Sequence, residues 1–89
     1  VVCDNGVHGS ILEGQRQRFG ADHIYGTRLS SPNFADLARS YGCAAWTVEQ
    51  TEDFAPALLG AMAHTGPSLI HLLTDDRDIA PFDKGPDAV

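Results

Sequence analysis

The hydrophobic positions along this chain switch between short continuous runs and helical spacing, and each switch marks an element. Val1-Val2-Cys3 is apolar and mostly β-branched, the pattern of a strand buried on both faces. Asp4-Asn5-Gly6 breaks the run with turn-forming residues, and Gly9 allows a close backbone approach. Ser10 to Phe19 then reads as a helix with Ile11 and Leu12 inward, Gln15-Arg16-Gln17-Arg18 outward, and Gly20-Ala21-Asp22 at its end. His23 to Ser31 has no period and reads as a loop bent at Gly26. Pro32-Asn33 opens a second helix, with Asn33 as cap, Asp36 three residues on, Phe34, Leu37, Ala38 and Tyr41 as its buried face, and Gly42 as the stop.

Cys43 to Glu49 is a second apolar run, read as a strand. Thr51-Glu52-Asp53 supplies a cap and first-turn acids, and Pro56 must lie in the first turn, so the regular helix is expected to begin nearer Asp53 than Thr51. Phe54, Leu58, Ala61 and Met62 are its expected apolar face, and Gly66-Pro67 ends it. Ser68 to Leu73 is the third strand, apolar apart from His71, which is expected as a hydrogen-bonded core residue of a central strand. Asp75 to Asp78 is a solvated turn, and the Pro-, Asp- and Gly-rich remainder is expected as a loosely ordered tail. Strands alternating with helices give the fold class: α/β, a three-layer α/β/α parallel sheet.

Composition narrows the function classes. Eighty-nine residues make one small domain at most. The sequence opens inside an apparent core strand without a Met, so a piece of a longer chain is expected. There is no charged-then-apolar leader and no apolar run near membrane-spanning length; a cytoplasmic protein with no membrane partner is expected. Six basic against twelve acidic residues give a net charge of −6, which argues against nucleic acid as a partner. Cys3 and Cys43 read as buried thiols rather than a disulfide or metal pair, and no two histidines have metal-ligand spacing on one helix face.

The chemistry is concentrated where the first strand runs through a polar turn into a helix N-terminus, a place where open α/β sheets bind anions. An ordinary strand-to-helix turn is the alternative on spacing alone. Four ordered segments add a resemblance. Asp4-Asn5-Gly6-Val7-His8-Gly9-Ser10-Ile11 with Gln15 resembles the Asn-Asn-Gly-x-Tyr-Gly-x-Ile…Gln segment of thiamine-diphosphate enzymes of the acetolactate synthase, benzoylformate decarboxylase and pyruvate oxidase group. Tyr25 to Leu29, Pro32 to Gly42, Thr51 to Ala57 and Gly66 to Ile70 are similar to later parts of the same cofactor domain, in the same order.

The resemblance implies a partial thiamine-diphosphate-binding fold: the last three strands of a larger parallel sheet, with the third strand between the first and second. Residues 1–74 would be the C-terminal part of the diphosphate-binding domain and 75–89 a tail. The implied cofactors are thiamine diphosphate and Mg²⁺. Carried over residue by residue, Asn5 supplies a side-chain oxygen and Val7 a main-chain carbonyl to the cation, a donor pair suited to Mg²⁺. Gly6 makes the turn between them, Gly9 and Ser10 offer amides to phosphate, and Ile11 is an apolar contact. His8 stands where the family often has tyrosine, and Asp4 where it often has a first asparagine. The family's Gly-Asp-Gly metal motif and its catalytic glutamate are not matched, so no catalytic residue is assigned in this chain.

The implied activity is that of a 2-oxo-acid decarboxylase or carboligase. The implied partners are the pyrimidine-binding domain of the same enzyme, further copies in a dimer or tetramer, and a small 2-oxo-acid substrate. The resemblance also implies that the Gln15–Tyr25 segment lies over the active site. The isolated chain is expected to associate through uncovered sheet edges and to bind the cofactor weakly or not at all. The alternatives are a catalytically inactive truncated fragment serving as an interaction or assembly module, and, from topology alone, a flavodoxin-like or response-regulator half domain.

Overall fold

Three short parallel strands carry the first of two units in the computed structural model, which describes residues 1–77. β1 (Val2–Asp4), β2 (Ala44–Val48) and β3 (Ser68–Leu73) pair in the order β1-β3-β2, so the last strand lies between the other two, as the resemblance implies. The register runs from Val2 opposite His71 to Asp4 opposite Leu73 on one side of β3, and from Ala44 opposite Ser68 to Val48 opposite Leu72 on the other. This unit comprises Val1–Asp4 and Ser31–Thr74 and includes α2 (Phe34–Ser40) and α3 (Phe54–Ala63). The second comprises Asn5–Ser30 with, of the described residues, 75–77, and is built on α1 (Gly9–Phe19). The tail expected at 75–89 lies outside the described residues from 78 onward.

Successive strand residues point to opposite faces, and the two helices of the first unit divide those faces between them. Ile70 and Val48 pack against Ala57 of α3, with Trp46, Phe54, Ala61 and Leu72 around them. His71 faces the other way and meets the Phe34 ring of α2 edge-on, with centroids 5.0 Å apart. This is the three-layer α/β/α arrangement in miniature. Among the described residues no helix is long and apolar enough to cross a membrane.

Both helices of this unit turn a different stripe to the sheet from the one their largest apolar residues suggest. α2 buries Ala35 and Ala38 and half-buries Phe34, while Leu37 and Tyr41 are exposed. The alanine stripe lets the short helix approach the sheet closely; the larger residues sit one position round. α3 buries Ala57 and half-buries Phe54 and Ala61, leaving Leu58 and Met62 exposed, so Met62 is not a core residue. No polar residue occurs from Phe54 to Ala63, so nothing in the sequence marks an outer face. The small residues decide it: Gly60 lies against the Trp46 ring, where an added Cβ would come within 2.9 Å of Cζ2.

The helix ends follow the sequence more closely. Asn33 Oδ1 accepts the Asp36 N–H at 3.0 Å and Gly42 takes the left-handed conformation (φ 83°). α3 begins at Phe54 after a 3₁₀ turn over Thr51–Asp53, with Pro56 in its first turn, but neither Thr51 nor Asp53 caps it through a side chain. In a helix as short as α2, the Asn33 cap is a large share of its local stability. The variant Asn33→Ala is expected to destabilise it by about 1 kcal/mol, read as faster hydrogen exchange at the Asp36 amide; unchanged exchange would show the cap contributes nothing.

β1 is an edge strand rather than one buried on both faces. α3 packs over β2 and β3 and leaves Cys3, on the same face, exposed; Cys43 is half-buried, and both thiols are free. In the second unit, Leu12 is fully buried while Ile11 is 58% exposed, so only one of the two inward residues expected for α1 faces inward. Its outward face is also less solvated than expected, because Arg16 is half-buried and pairs at 3.1 Å with the buried Glu13. Gly20 (φ 85°) ends α1 and a 3₁₀ turn over Ala21–His23 follows.

Candidate functional site

The turn after β1 is shaped by one side chain and one glycine. Asn5 Oδ1 accepts the Val7 N–H at 3.2 Å, an Asx turn, and Gly6 between them has φ 73°, open to glycine without strain. The turn is braced from one side by the loop read from the sequence as patternless. The Leu29 N–H donates to the Gly6 carbonyl and the His8 N–H to the Thr27 carbonyl, both at 2.8 Å, so Val7 and Arg28 form an antiparallel bridge.

This pattern decides where the Val7 peptide groups point. Val7 and Arg28 are the non-hydrogen-bonded pair of the bridge, so both the N–H and the C=O of Val7 face away from the loop, on one edge. The N–H meets Asn5 Oδ1 there; the carbonyl accepts no hydrogen bond among the described residues. Two oxygens, one amide and one peptide, therefore share an edge. Each retains a lone pair, since an amide oxygen accepting one hydrogen bond has capacity for another acceptor contact. Neutral oxygen donors of this kind suit a hard divalent cation.

α1 begins two residues on. His8 occupies the capping position but its side chain makes no cap bond and is exposed; Leu12 donates to the His8 carbonyl at 3.0 Å. The amides of Gly9, Ser10 and Ile11 have no protein acceptor among the described residues, and no acidic residue occupies the first turn. That end of the helix presents donors and a positive dipole without a protein anion to satisfy them. Gly9 is half-buried, while Ser10 and Ile11 are exposed. All seven residues from Asn5 to Ile11 thus lie in one turn and one helix start. Among the described residues there is no cluster of three or more His, Cys, Asp or Glu side chains able to hold a metal ion.

Two pairings left no local pattern in the sequence, although Gln15 and Tyr25 lie in segments that carry the resemblance and His71 is expected as a hydrogen-bonded core residue. Gln15 bonds both peptide groups of Tyr25: Nε2 donates to the carbonyl at 2.9 Å and Oε1 accepts the N–H at 3.3 Å. Oε1 also accepts the hydroxyl of Thr27, which is only 2% exposed. In the first unit, the Asp4 carboxylate is held on two sides: Oδ2 lies 2.7 Å from His71 Nε2 and Oδ1 accepts the Ser31 hydroxyl at 2.9 Å. With a carboxylate as partner, Nε2 is the ring nitrogen that carries hydrogen. His71 is 5% exposed, as a core histidine should be, and its Nδ1 has no partner among the described residues.

Comparison with known proteins bears on which chemistry this turn serves. The family model described as the thiamine pyrophosphate enzyme C-terminal TPP binding domain matches residues 1–72. An acetolactate synthase of Arthrospira platensis is 32% identical over 85 residues, which is 92% of this chain and 14% of that protein. The chain thus spans about one seventh of the length of the curated relative it matches. No solved structure gives a significant match.

Proposed function

The chain belongs to the C-terminal TPP-binding domain family of thiamine pyrophosphate enzymes, and from that premise we propose that it supplies half of a Mg²⁺–diphosphate site in an acetolactate synthase-like 2-oxo-acid decarboxylase or carboligase. The observation that carries this is the shared edge of the Asn5 amide oxygen and the unpartnered Val7 carbonyl. In this reading those two oxygens hold the cation, Gly6 sets the bend between them, and the amides of Gly9, Ser10 and Ile11 face phosphate oxygens. His8 and Ile11, both exposed, are the side chains beside the cofactor.

Thiamine diphosphate, when bound, supplies the carbanion chemistry by which 2-oxo acids lose CO₂ or exchange acyl groups. The residues of this chain bind and orient; none is assigned a proton-transfer role. Residues 1–74 act as the C-terminal part of the diphosphate-binding domain, in a cytoplasmic homo-oligomer whose pyrimidine-binding domain completes the site. Asp4, held by His71 and Ser31, is read as a structural acid and not as a cation ligand.

Calorimetric titration of the intact enzyme tests the reading: thiamine diphosphate should bind only with Mg²⁺ present. Binding unaffected by removal of Mg²⁺ would overturn it. The isolated 89 residues are expected to show no micromolar binding, because two neutral oxygens for the cation and a helix end for the phosphates leave the buried diphosphate short of compensating charge.

A further inference from the structure

We infer that Gln15 is a positioning residue for the Asn5–Val7 oxygen pair, an inference that rests on the function proposed above. Gln15 treats Tyr25 as a neighbouring strand would, with one donor and one acceptor on a single side chain. It also holds the hydroxyl of the buried Thr27. No other hydrogen bond to the peptide groups of Tyr25 is formed among the described residues.

The two residues that brace the turn follow at once. Thr27, clasped by Gln15, gives its carbonyl to His8; Leu29, two residues later, gives its N–H to Gly6. Val7 is suspended between those two bonds, and they turn its carbonyl to the edge where Asn5 Oδ1 lies. The loop has little stiffness of its own, since Gly20 and Gly26 both take positive φ (85° and 71°) and glycine leaves many conformations open. Gln15, anchored in the regular helix α1, is the rigid end of this chain of contacts. Its side-chain amide is engaged by Tyr25 and Thr27, so the role inferred for it is to hold the loop rather than to bind. It acts by deciding whether the loop stays in register with the turn, much as outer hydrogen bonds orient metal ligands.

The test uses the intact enzyme with Gln15→Leu, which removes all three bonds, and the milder Gln15→Glu and Thr27→Val. Two quantities are read: hydrogen exchange at the His8 and Leu29 amides without cofactor, and the Mg²⁺ concentration for half-saturation at fixed thiamine diphosphate. Gln15→Leu should speed exchange at both amides and raise the half-saturating Mg²⁺ about 10- to 100-fold, with kcat at saturating Mg²⁺ changed far less. Gln15→Glu keeps the acceptor for Tyr25 and Thr27 but loses the donor, and Thr27→Val loses one bond, so both should shift the same two quantities by less. Should Gln15→Leu fail to fold, these two variants decide.

Unchanged exchange at His8 and Leu29 would overturn the inference, as would faster exchange with an unchanged Mg²⁺ requirement. A wild-type enzyme indifferent to Mg²⁺ and thiamine diphosphate would overturn the functional reading and this role with it. The exchange difference would then persist without any metal effect, so the two failures are told apart.

Discussion

Replacing Asn5 by alanine in the intact enzyme is expected to weaken Mg²⁺-dependent thiamine diphosphate binding on the order of 100-fold, or close to 3 kcal/mol. Two losses combine. The alanine has no oxygen to offer the cation, and it no longer accepts the Val7 N–H, so the Asx turn that places the Val7 carbonyl loosens. Asn5→Asp separates these losses. A carboxylate oxygen still accepts the Val7 N–H and still suits Mg²⁺, while its added negative charge opposes the diphosphate. The aspartate variant should therefore retain more binding than the alanine variant. Calorimetry with each variant measures this directly. An alanine variant that binds as tightly as wild type would remove Asn5 from the cation site, and the proposed function would lose its main support.

The fold was legible where local chemistry and burial agree. The three apolar runs became the three strands, and Asn33, Gly42 and Pro56 mark helix ends for reasons that act within a few residues. The strand order was not readable from periodicity; it came from the resemblance and agrees with the β1-β3-β2 sheet. Which stripe each helix buries was less legible. Small residues, not large ones, set the approach to the sheet: Ala35 and Ala38 in α2, Ala57 and Gly60 in α3. Size ranks transfer free energy, but a short helix over a narrow sheet is positioned by how closely its backbone can come.

At the candidate site, the Asn-Gly turn is visible in the sequence because its hydrogen bond spans two residues. The clamp from Gln15 to Tyr25 spans ten and the pair between Asp4 and His71 spans 67, so neither leaves a local pattern. The residue types alone gave the hint: a polar histidine in an apolar strand, and an acid at the end of another. Leu59, Met62 and Tyr41 are exposed although they are the larger apolar residues of their helices and helix ends.

The largest effect on stability is expected at His71. Nε2 bonds the Asp4 carboxylate at 2.7 Å, and both side chains are nearly withdrawn from solvent, at 6% and 10%. The pair joins β1 to β3 on the face that α2 covers, so it fastens an edge strand only three residues long. His71→Leu takes the Nε2 donor from the Asp4 carboxylate, which keeps the Ser31 hydroxyl, in a place water scarcely reaches. Removing one member of a buried pair typically destabilises by about 3–5 kcal/mol, and the surviving Ser31 bond places this case near the lower end. Hydrogen exchange at Thr74, whose N–H donates to the Asp4 carbonyl at 2.9 Å, reports on this edge of the sheet within the intact protein. Its protection should fall on the order of 100-fold in His71→Leu. The double variant Asp4→Leu with His71→Leu tests the cause. If the loss comes from a buried carboxylate deprived of its histidine donor, removing it as well should recover part of the protection, so that the two effects together are smaller than their sum. Strictly additive losses would mean that His71 acts independently of Asp4, and a His71→Leu variant with wild-type protection at Thr74 would mean that the histidine contributes nothing to holding β1.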